Sequence, residues 1–195
     1  MKDPQILDAI RRRQSARSFS SVPVSNAAIR RILNAAQCAP SGANRQPWYL
    51  LVVEDANVKR EIRKLCEDAE HRHHKRAKGD IRDWYAANAI TAEKPFLEQA
   101  PVLIATFFDP RAPYAIPSIW IAIAHMLLQA TQEGLYALPY TPSGARLAPL
   151  LGVPDAYRIA AVLPIGEADP PVRQPRRPLS AVASLNRFGN PFLEG

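Results

Sequence analysis

The feature that most constrains the fold is an apolar run at residues 101–108, which contains no charged side chain. A run of this length is typical of a β-strand that is covered on both faces. A second run, residues 159–165, has the same character. Residues 115–133 are apolar around the whole helical circumference, which predicts a central helix ended by Gly134. We therefore expect a core that combines strands with helices.

Local periodicity and capping residues predict the remaining elements. Ser25 or Asn26 should cap the second helix, because either side chain can accept a hydrogen bond from a free backbone amide. The predicted helices, besides the central one, are residues 3–12, 27–37, 58–69, 81–96 and 146–151. Two further strands are predicted at residues 48–53 and 135–140.

The chain has 195 residues and a formal net charge of +7 at pH 7. This length predicts one domain over residues 1–195. The charged N-terminus predicts no signal peptide, and the most apolar stretch is too short and too polar to span a membrane. Two cysteines without a close spacing favour a reduced, cytoplasmic setting. The basic balance could indicate nucleic acid, but no such motif accompanies it, so we expect no nucleic-acid partner and instead an anionic small molecule.

A polar turn at residues 39–48 separates a helical pattern from a strand pattern. Pro40 and Pro47 bracket it, so its backbone should form a defined turn. The short polar side chains and the close approach that Gly42 permits suit a flat heterocycle with polar edges. An ordinary connection between a helix and a strand is the alternative.

Two further polar segments allow functional interpretations. Arg13 and Arg17, with Ser15 between them, can converge on one phosphate, although a solvated basic turn would have the same sequence. The strongly polar residues 67–78 contain three histidines. For them a mobile lid over a site is a better hypothesis than a metal centre, and a solvated face is the simpler alternative.

Four motifs, in this order, resemble the nitroreductase family of FMN-dependent oxidoreductases. They are Arg13-x-Ser15-x-Arg17-x-Phe19, Ala39-Pro40-Ser41-Gly42 with Gln46-Pro47-Trp48, Ala100-Pro101 before the apolar strand, and Arg176-Arg177-Pro178-Leu179. The similarity covers residues 11–179. It implies an α+β, three-layer fold in which helices flank a mixed β-sheet. It also implies an interlocked homodimer with FMN at the subunit interface.

The resemblance assigns residues to the cofactor. The Arg13 segment and Arg176 would hold the FMN phosphate and ribityl chain, and the Ser41 loop of the other subunit would line the flavin. The implied cofactor-binding residues are Arg13, Gln14, Ser15, Arg17, Pro40, Ser41, Gly42, Asn44, Pro139, Tyr140, Thr141 and Arg176.

Within the family, the chain is similar to the branch that includes iodotyrosine deiodinase and the flavin destructase of cobalamin lower-ligand synthesis. In the deiodinase, a threonine before proline donates to flavin N5, which makes Thr141 the implied catalytic residue. A lid, here about residues 67–95, supplies groups that clamp an amino acid zwitterion. The implied substrate-binding residues are Ala43, Glu70, His73 and Lys94.

The resemblance implies that NAD(P)H reduces nitroaromatics, quinones or similar acceptors through FMN, with ping-pong kinetics because one pocket serves donor and acceptor. The alternative is a reductive dehalogenase of the halotyrosine type. A non-catalytic FMN-binding or basic nucleic-acid-binding protein is a third hypothesis. No metal is implied. The C-terminal extension, about residues 168–195, is expected to cross a partner subunit or to be loose.

Overall fold

The computed structural model describes residues 6–88, 90–142 and 145–192, and it shows helices packed on a β-sheet. The strands are β1 (Trp48–Val53), β2 (Val102–Phe108), β3 (Tyr136–Ala137) and β4 (Arg158–Gly166). The helices are α1 (Asp8–Arg12), α2 (Asn26–Gln37), α3 (Ala56–Arg76), α4 (Asp80–Ala87), α5 (Phe96–Gln99), α6 (Ala115–Gln132) and α7 (Leu147–Leu150). The strand order is β1-β2-β4-β3.

The sheet lies between two helical layers. Every residue of β2 is buried, as the apolar run predicted. Successive side chains of β2 point to opposite faces. Ile104 joins a cluster with Ile119 of α6, whereas Leu103 joins a cluster with Ile62 of α3 on the other face. The central strand is therefore covered on both sides because helices of different parts of the chain supply both layers.

The α+β class and the layered arrangement predicted from the sequence are confirmed. One detail differs from the expected mixed sheet. The three strand pairings in the described ranges, β1 with β2, β2 with β4 and β3 with β4, are all antiparallel. Neighbouring strands of the sheet therefore run in opposite directions.

Helices α2 and α6 form most of one layer. The predicted Ser25 cap is present, since its Oγ accepts a hydrogen bond from the amide of Ala28 at 3.2 Å. The prediction that α6 is buried around its whole circumference is wrong for the single chain. Ile116, Trp120 and Ile121 are 58%, 38% and 38% exposed, because no described element covers this face of the helix.

Helix α3 continues well past residue 69, where its predicted end lay. Its N-terminus is fixed by Asp55, whose Oδ1 accepts from the amides of Asn57 and Val58, both at 2.9 Å. Within the extension, Glu70 and His74 lie one turn apart, with Oε2 and Nε2 separated by 3.6 Å. The first part of the predicted lid, residues 67–76, therefore belongs to this helix.

Two other predicted elements are shorter in the structure. The predicted helix at 81–96 is two helices, α4, which ends at Ala87, and α5, which Pro95 immediately precedes; residue 89 lies outside the described residues. The predicted strand at 135–140 is reduced to β3, followed by an isolated bridge between Tyr140 and Val162. Pro139 interrupts the ladder between them.

The two ends of the chain carry little of the core. Helix α1 begins at Asp8, and residues 3–5 of the predicted helix lie outside the described residues. After β4, residues 167–192 contain a short 3₁₀ turn, Leu179–Ala181, and an isolated bridge between Ser184 and Pro191. Most of this segment is exposed. Residues 193–195 of the predicted extension lie outside the described part.

Candidate functional site

The loop after α2 has an unusual backbone. Ala43, Asn44 and Gln46 have φ values of 51°, 52° and 45°, in the left-handed region that side chains disfavour. Such conformations each cost about 1–3 kcal/mol and cluster where a protein holds a ligand. The Oγ of Ser41 accepts a hydrogen bond from the amide of Gln46 at 2.9 Å and so closes the loop.

Gly42 joins this loop to the beginning of α6. Its amide donates to Oγ of Ser118 at 3.2 Å, and that hydroxyl donates to the carbonyl oxygen of Tyr114 at 2.6 Å. A Cβ atom on Gly42 would lie 2.5 Å from the carbonyl oxygen of Pro113. Glycine is therefore required by close packing of two backbones, and this explains its place in the motif.

A cluster of arginines forms near the other end of α6. Nη1 of Arg13 donates to Oγ of Ser15 at 3.3 Å. Burial lowers the pKa of the Arg13 guanidinium, and the nearby charges of Arg176 and Arg173 lower it further. These like charges repel one another, and a bound anion could relieve that repulsion through charged hydrogen bonds.

Gln14 contacts the segment after β4 that contributes Arg173 to this cluster. With its amide oriented to suit its neighbours, Nε2 donates to the carbonyl oxygen of Pro171 at 2.7 Å and Oε1 accepts from Nε of Arg173 at 3.3 Å. A cavity of about 250 Å³ lies here, between these residues and the end of α6 at Thr131 and Gly134.

The strained loop and the arginine cluster are far apart within one chain. Gly42 contacts Ser118, whereas the cavity beside Gln14 is lined by Thr131. With a rise of 1.5 Å per residue, Ser118 and Thr131 are about 20 Å apart along α6. One small molecule could contact both only if it were about that long or if one of the two features came from a second chain.

A second group of polar residues is buried between α3 and the segment before α5. Glu70 and Lys94 are each 8% exposed, and Oε2 of Glu70 lies 4.0 Å from Nζ of Lys94. The hydroxyl of Tyr140 donates to Oε1 of Glu70 at 2.9 Å. Burial lowers the pKa of Lys94, against the attraction of nearby carboxylates led by Glu70. The structure thus brings two of the predicted substrate-binding residues together.

His74 joins this group, whereas the predicted His73 does not. Nε2 of His74 is 3.6 Å from Oε2 of Glu70 and is buried without a hydrogen-bond partner. The imidazole of His73 is exposed and its Nε2 bonds the hydroxyl of Tyr85 at 2.9 Å. The side chain of Tyr85 also stacks on His74, with ring centres 4.6 Å apart. The two histidines therefore fasten α4 to α3.

The other predicted residues have different surroundings. Arg17, Pro40, Ala43, Asn44 and Thr141 are exposed, and Pro139 is half-buried. Their assigned contacts with a cofactor or substrate stay predictions. Motif reading missed Arg173 and His74; the signals that could have found them were the arginine-rich residues 173–177 and the helical spacing from Glu70 to His74.

Two classes of site find no support in the residues that the structure describes. No group of three or more histidine, cysteine, aspartate or glutamate side chains is placed to hold a metal ion. Among the same residues, no helix is both long enough and apolar enough to cross a bilayer.

The arginine cluster and the strained loop are the two features of this α+β fold that could hold a small anionic ligand. The sequence model of the nitroreductase family matches residues 10–167. The chain belongs to the nitroreductase family. An iodotyrosine deiodinase of Thermotoga neapolitana is 34% identical over 178 residues, which cover 91% of this chain and 95% of that protein.

Solved structures agree with this assignment. A crystal structure of oxidized iodotyrosine deiodinase bound to FMN and 3-iodo-L-tyrosine has a TM-score of 0.84 and 33% identity, covering 94% of this chain and 98% of that one. A BluB-like flavoprotein from Clostridium difficile 630 shares the fold, with a TM-score of 0.76 and 22% identity over 96% of this chain and all of that one.

Proposed function

We propose that this chain is an FMN-dependent oxidoreductase that acts as a homodimer on a small aromatic acceptor. The observation that carries the proposal is the arginine cluster around Arg13, which lies about 20 Å along α6 from a strained, glycine-containing loop. FMN has a phosphate at one end and a flat ring system at the other, so it can satisfy both features. A single domain and a cytoplasmic location are part of the proposal.

The residues present suit FMN. The half-buried guanidinium of Arg13, close to Arg173 and Arg176, needs a negative charge that the phosphate would supply. At the loop, the surroundings of Gly42 leave no room for a side chain, and left-handed residues after it give the loop an irregular backbone. Such a loop can approach the edge of a ring closely.

The same distances support a homodimer. Neither half of the site can move along α6, since each is fixed to its own end of the helix. A second chain that packs against the exposed Ile116 and Trp120 would cover apolar surface and bring its own loop to this arginine cluster. The exposed, proline-rich residues 167–192 have the length to reach across such an interface.

The chain's own side chains would bind and orient, while the cofactor supplies the redox chemistry. Bound FMN would accept electrons from a donor and pass them to the acceptor. The hydroxyl of Thr141, next to the fixed Tyr140, is the proposed donor to flavin N5. Glu70 and Lys94 would bind the substrate's charged groups, and α4 would exclude water from above.

Two reactions suit this arrangement. Reduction of nitroaromatics or quinones by NAD(P)H is the broad reaction of the family and needs no charged clamp. Reductive dehalogenation of the halotyrosine type is the second candidate, and the buried pair of Glu70 and Lys94 favours it. An ammonium can bind the carboxylate while a carboxylate binds the lysine. The similarity to iodotyrosine deiodinases over almost the whole chain also supports the second candidate.

One set of assays tests the proposal. The purified protein should be yellow or should bind added FMN at one molecule per chain, and a protein that binds none would disprove it. With dithionite as reductant, release of iodide from 3-iodo-L-tyrosine favours dehalogenation. Reduction of a nitroaromatic by NAD(P)H without iodide release favours the broad reductase. Lys94→Gln should abolish the first activity and leave the second.

A further inference from the structure

The hydroxyl of Tyr140 makes a buried contact to which neither the motifs nor the family assignment gives a function. Tyr140 and Glu70 are each 8% exposed, and the hydroxyl donates to Oε1 of Glu70 at 2.9 Å. The two residues are far apart in sequence. Their contact connects the segment that precedes Thr141 to the helix that carries half of the candidate substrate clamp.

The position of this hydroxyl is fixed by the sheet. The amide of Tyr140 donates to the carbonyl oxygen of Val162 at 3.0 Å, and the carbonyl oxygen of Tyr140 accepts from the amide of Val162 at 2.8 Å. The tyrosine ring packs edge-on against Phe96, with centres 5.7 Å apart. Rotation of the ring away from Glu70 would break this packing. The polar groups of Tyr140 are thus engaged within the chain rather than directed at a cofactor.

The phenol is a permanent donor. Burial, with the adjacent Cys66 and Glu70, raises the pKa of Tyr140, so the hydroxyl keeps its proton across the physiological range. Burial also raises the pKa of the Cys66 thiol to about 12, so the thiol beside it is neutral and adds no competing charge. The Tyr140 hydroxyl can therefore donate its hydrogen bond to Oε1 of Glu70 throughout this range.

The second oxygen of Glu70 faces the cationic side of the cluster. Oε2 is 4.0 Å from Nζ of Lys94 and 3.6 Å from Nε2 of His74, which has no hydrogen-bond partner. A hydrogen bond to Oε1 restricts rotation of the carboxylate about its last bond. Oε2 is consequently held beside Lys94 instead of turning towards the sheet.

We propose that Tyr140 is a positioning residue that sets the Glu70 carboxylate beside Lys94, so that the pair is prepared for a substrate carrying both an ammonium and a carboxylate group. This inference rests on the second candidate of the proposed function. It assigns to Tyr140 the preference for a zwitterion over a neutral aromatic compound of the same ring. Preorganised charged groups bind more tightly because less ordering is needed on binding.

The test compares the FMN-loaded wild type with Tyr140→Phe, using dithionite as reductant. The substrates are 3-iodo-L-tyrosine and 2-iodophenol, which has an iodinated phenol ring but lacks the amino acid groups. For the variant we expect KM for iodotyrosine to rise about tenfold, with kcat within twofold. KM for iodophenol should be unchanged. Calorimetric titration of iodotyrosine into the oxidised holoenzyme should give the same loss without turnover.

Two further variants sharpen the test. Tyr49→Phe removes the hydroxyl of an exposed tyrosine on β1 that does not contact Glu70, and it should leave the substrate preference unchanged. In the Glu70→Gln background, Tyr140→Phe should change KM for iodotyrosine less than twofold, because both substitutions act through one carboxylate. Glu70→Asp keeps the negative charge but moves it away from the Tyr140 hydroxyl. If Tyr140→Phe fails to fold, Glu70→Asp should raise KM for iodotyrosine selectively in the same way.

The outcomes separate the inference from the function beneath it. Equal increases in KM for both substrates, or an unchanged iodotyrosine KM in a folded Tyr140→Phe, would overturn the positioning role alone. A wild type that does not prefer iodotyrosine to iodophenol would overturn the zwitterion clamp itself. A selective loss in Tyr140→Phe that disappears in the Glu70→Gln background supports the proposal.

Discussion

The amide of Gly42 donates to the hydroxyl of Ser118, and this contact fixes the strained loop to the N-terminal end of α6. The arginine cluster lies beyond the other end of the same helix, beside Thr131. A rigid helix therefore sets the distance between the two halves of the candidate site. The proposed homodimer rests on this separation.

Gly42→Ala should destabilise the protein and weaken FMN binding. The new Cβ would lie 2.5 Å from the carbonyl oxygen of Pro113, which is backbone and cannot rotate away. Overpacking of this kind costs about 1–3 kcal/mol, or a fall of about 2–10 °C in melting temperature for a chain of this size. Ala43→Gly is the control, because glycine tolerates the φ of 51° found there. A Gly42→Ala variant with the same melting temperature as the wild type would contradict this account of the packing.

Arg13→Ala should weaken FMN binding by about 10- to 100-fold, the loss expected for one charged hydrogen bond to phosphate. Fluorescence titration of the apoprotein with FMN measures this. Arg60→Ala removes the same charge from an exposed position and should have no effect. Riboflavin, which lacks the phosphate, should bind both proteins equally. If Arg13→Ala weakened riboflavin as much as FMN, the arginine would not bind the phosphate.

Ile116→Glu should produce monomers that no longer retain FMN. This side chain is 58% exposed on α6, and a charge there would be buried by a second subunit at a high cost. Light scattering coupled to gel filtration gives the mass, and absorbance gives the bound flavin. Ile81→Glu is the matched control, since Ile81 is 56% exposed on α4. A dimeric Ile116→Glu variant would place the interface elsewhere.

The stability of the protein should depend on Lys94 at alkaline pH. Burial lowers its pKa in the folded state, so the folded protein loses this proton below pH 10.5 while the unfolded chain still holds it. The unfolded state then binds more protons, and the free energy of unfolding rises with pH in that window. Lys94→Met should remove this rise, and Lys75→Met, at an exposed position, should keep it. Urea unfolding between pH 8 and pH 10.5, about the window that the usual lysine pKa sets, measures the slope. Identical slopes in all three proteins would contradict the prediction.

The sequence predicted the elements whose signals are local. The apolar run became β2, Trp48–Val53 was predicted with its observed bounds, and α6 differs from its prediction by one terminal residue. The length of α3 was underestimated because its last turns bear solvated charges, whose pattern resembles that of a loop. The single helix predicted at 81–96 is two helices, and Pro95 immediately precedes the second of them.

The candidate site was predicted where its residues lie in short motifs. Arg13 and Ser15 are neighbours in sequence and are in contact. Arg173 was missed because it lies in a proline-rich segment without periodicity. His73 and His74 could not be separated by their order in the chain. The 100° turn between successive residues of a helix directs only His74 to Glu70.

The sequence by itself determined the family, the strands β1, β2 and β4 to within a residue at each end, and the identity of the charged groups, because each depends on residues that are close along the chain. Tertiary structure alone decided which groups meet: Tyr140 with Glu70, and Gly42 with Ser118. These pairs are widely separated in sequence, and only the packing of helices on a common sheet brings them within a few ångströms. The turn around Gly42 cannot be distinguished from an ordinary loop by its sequence. It is closely packed because the fold places it against Pro113 and Ser118.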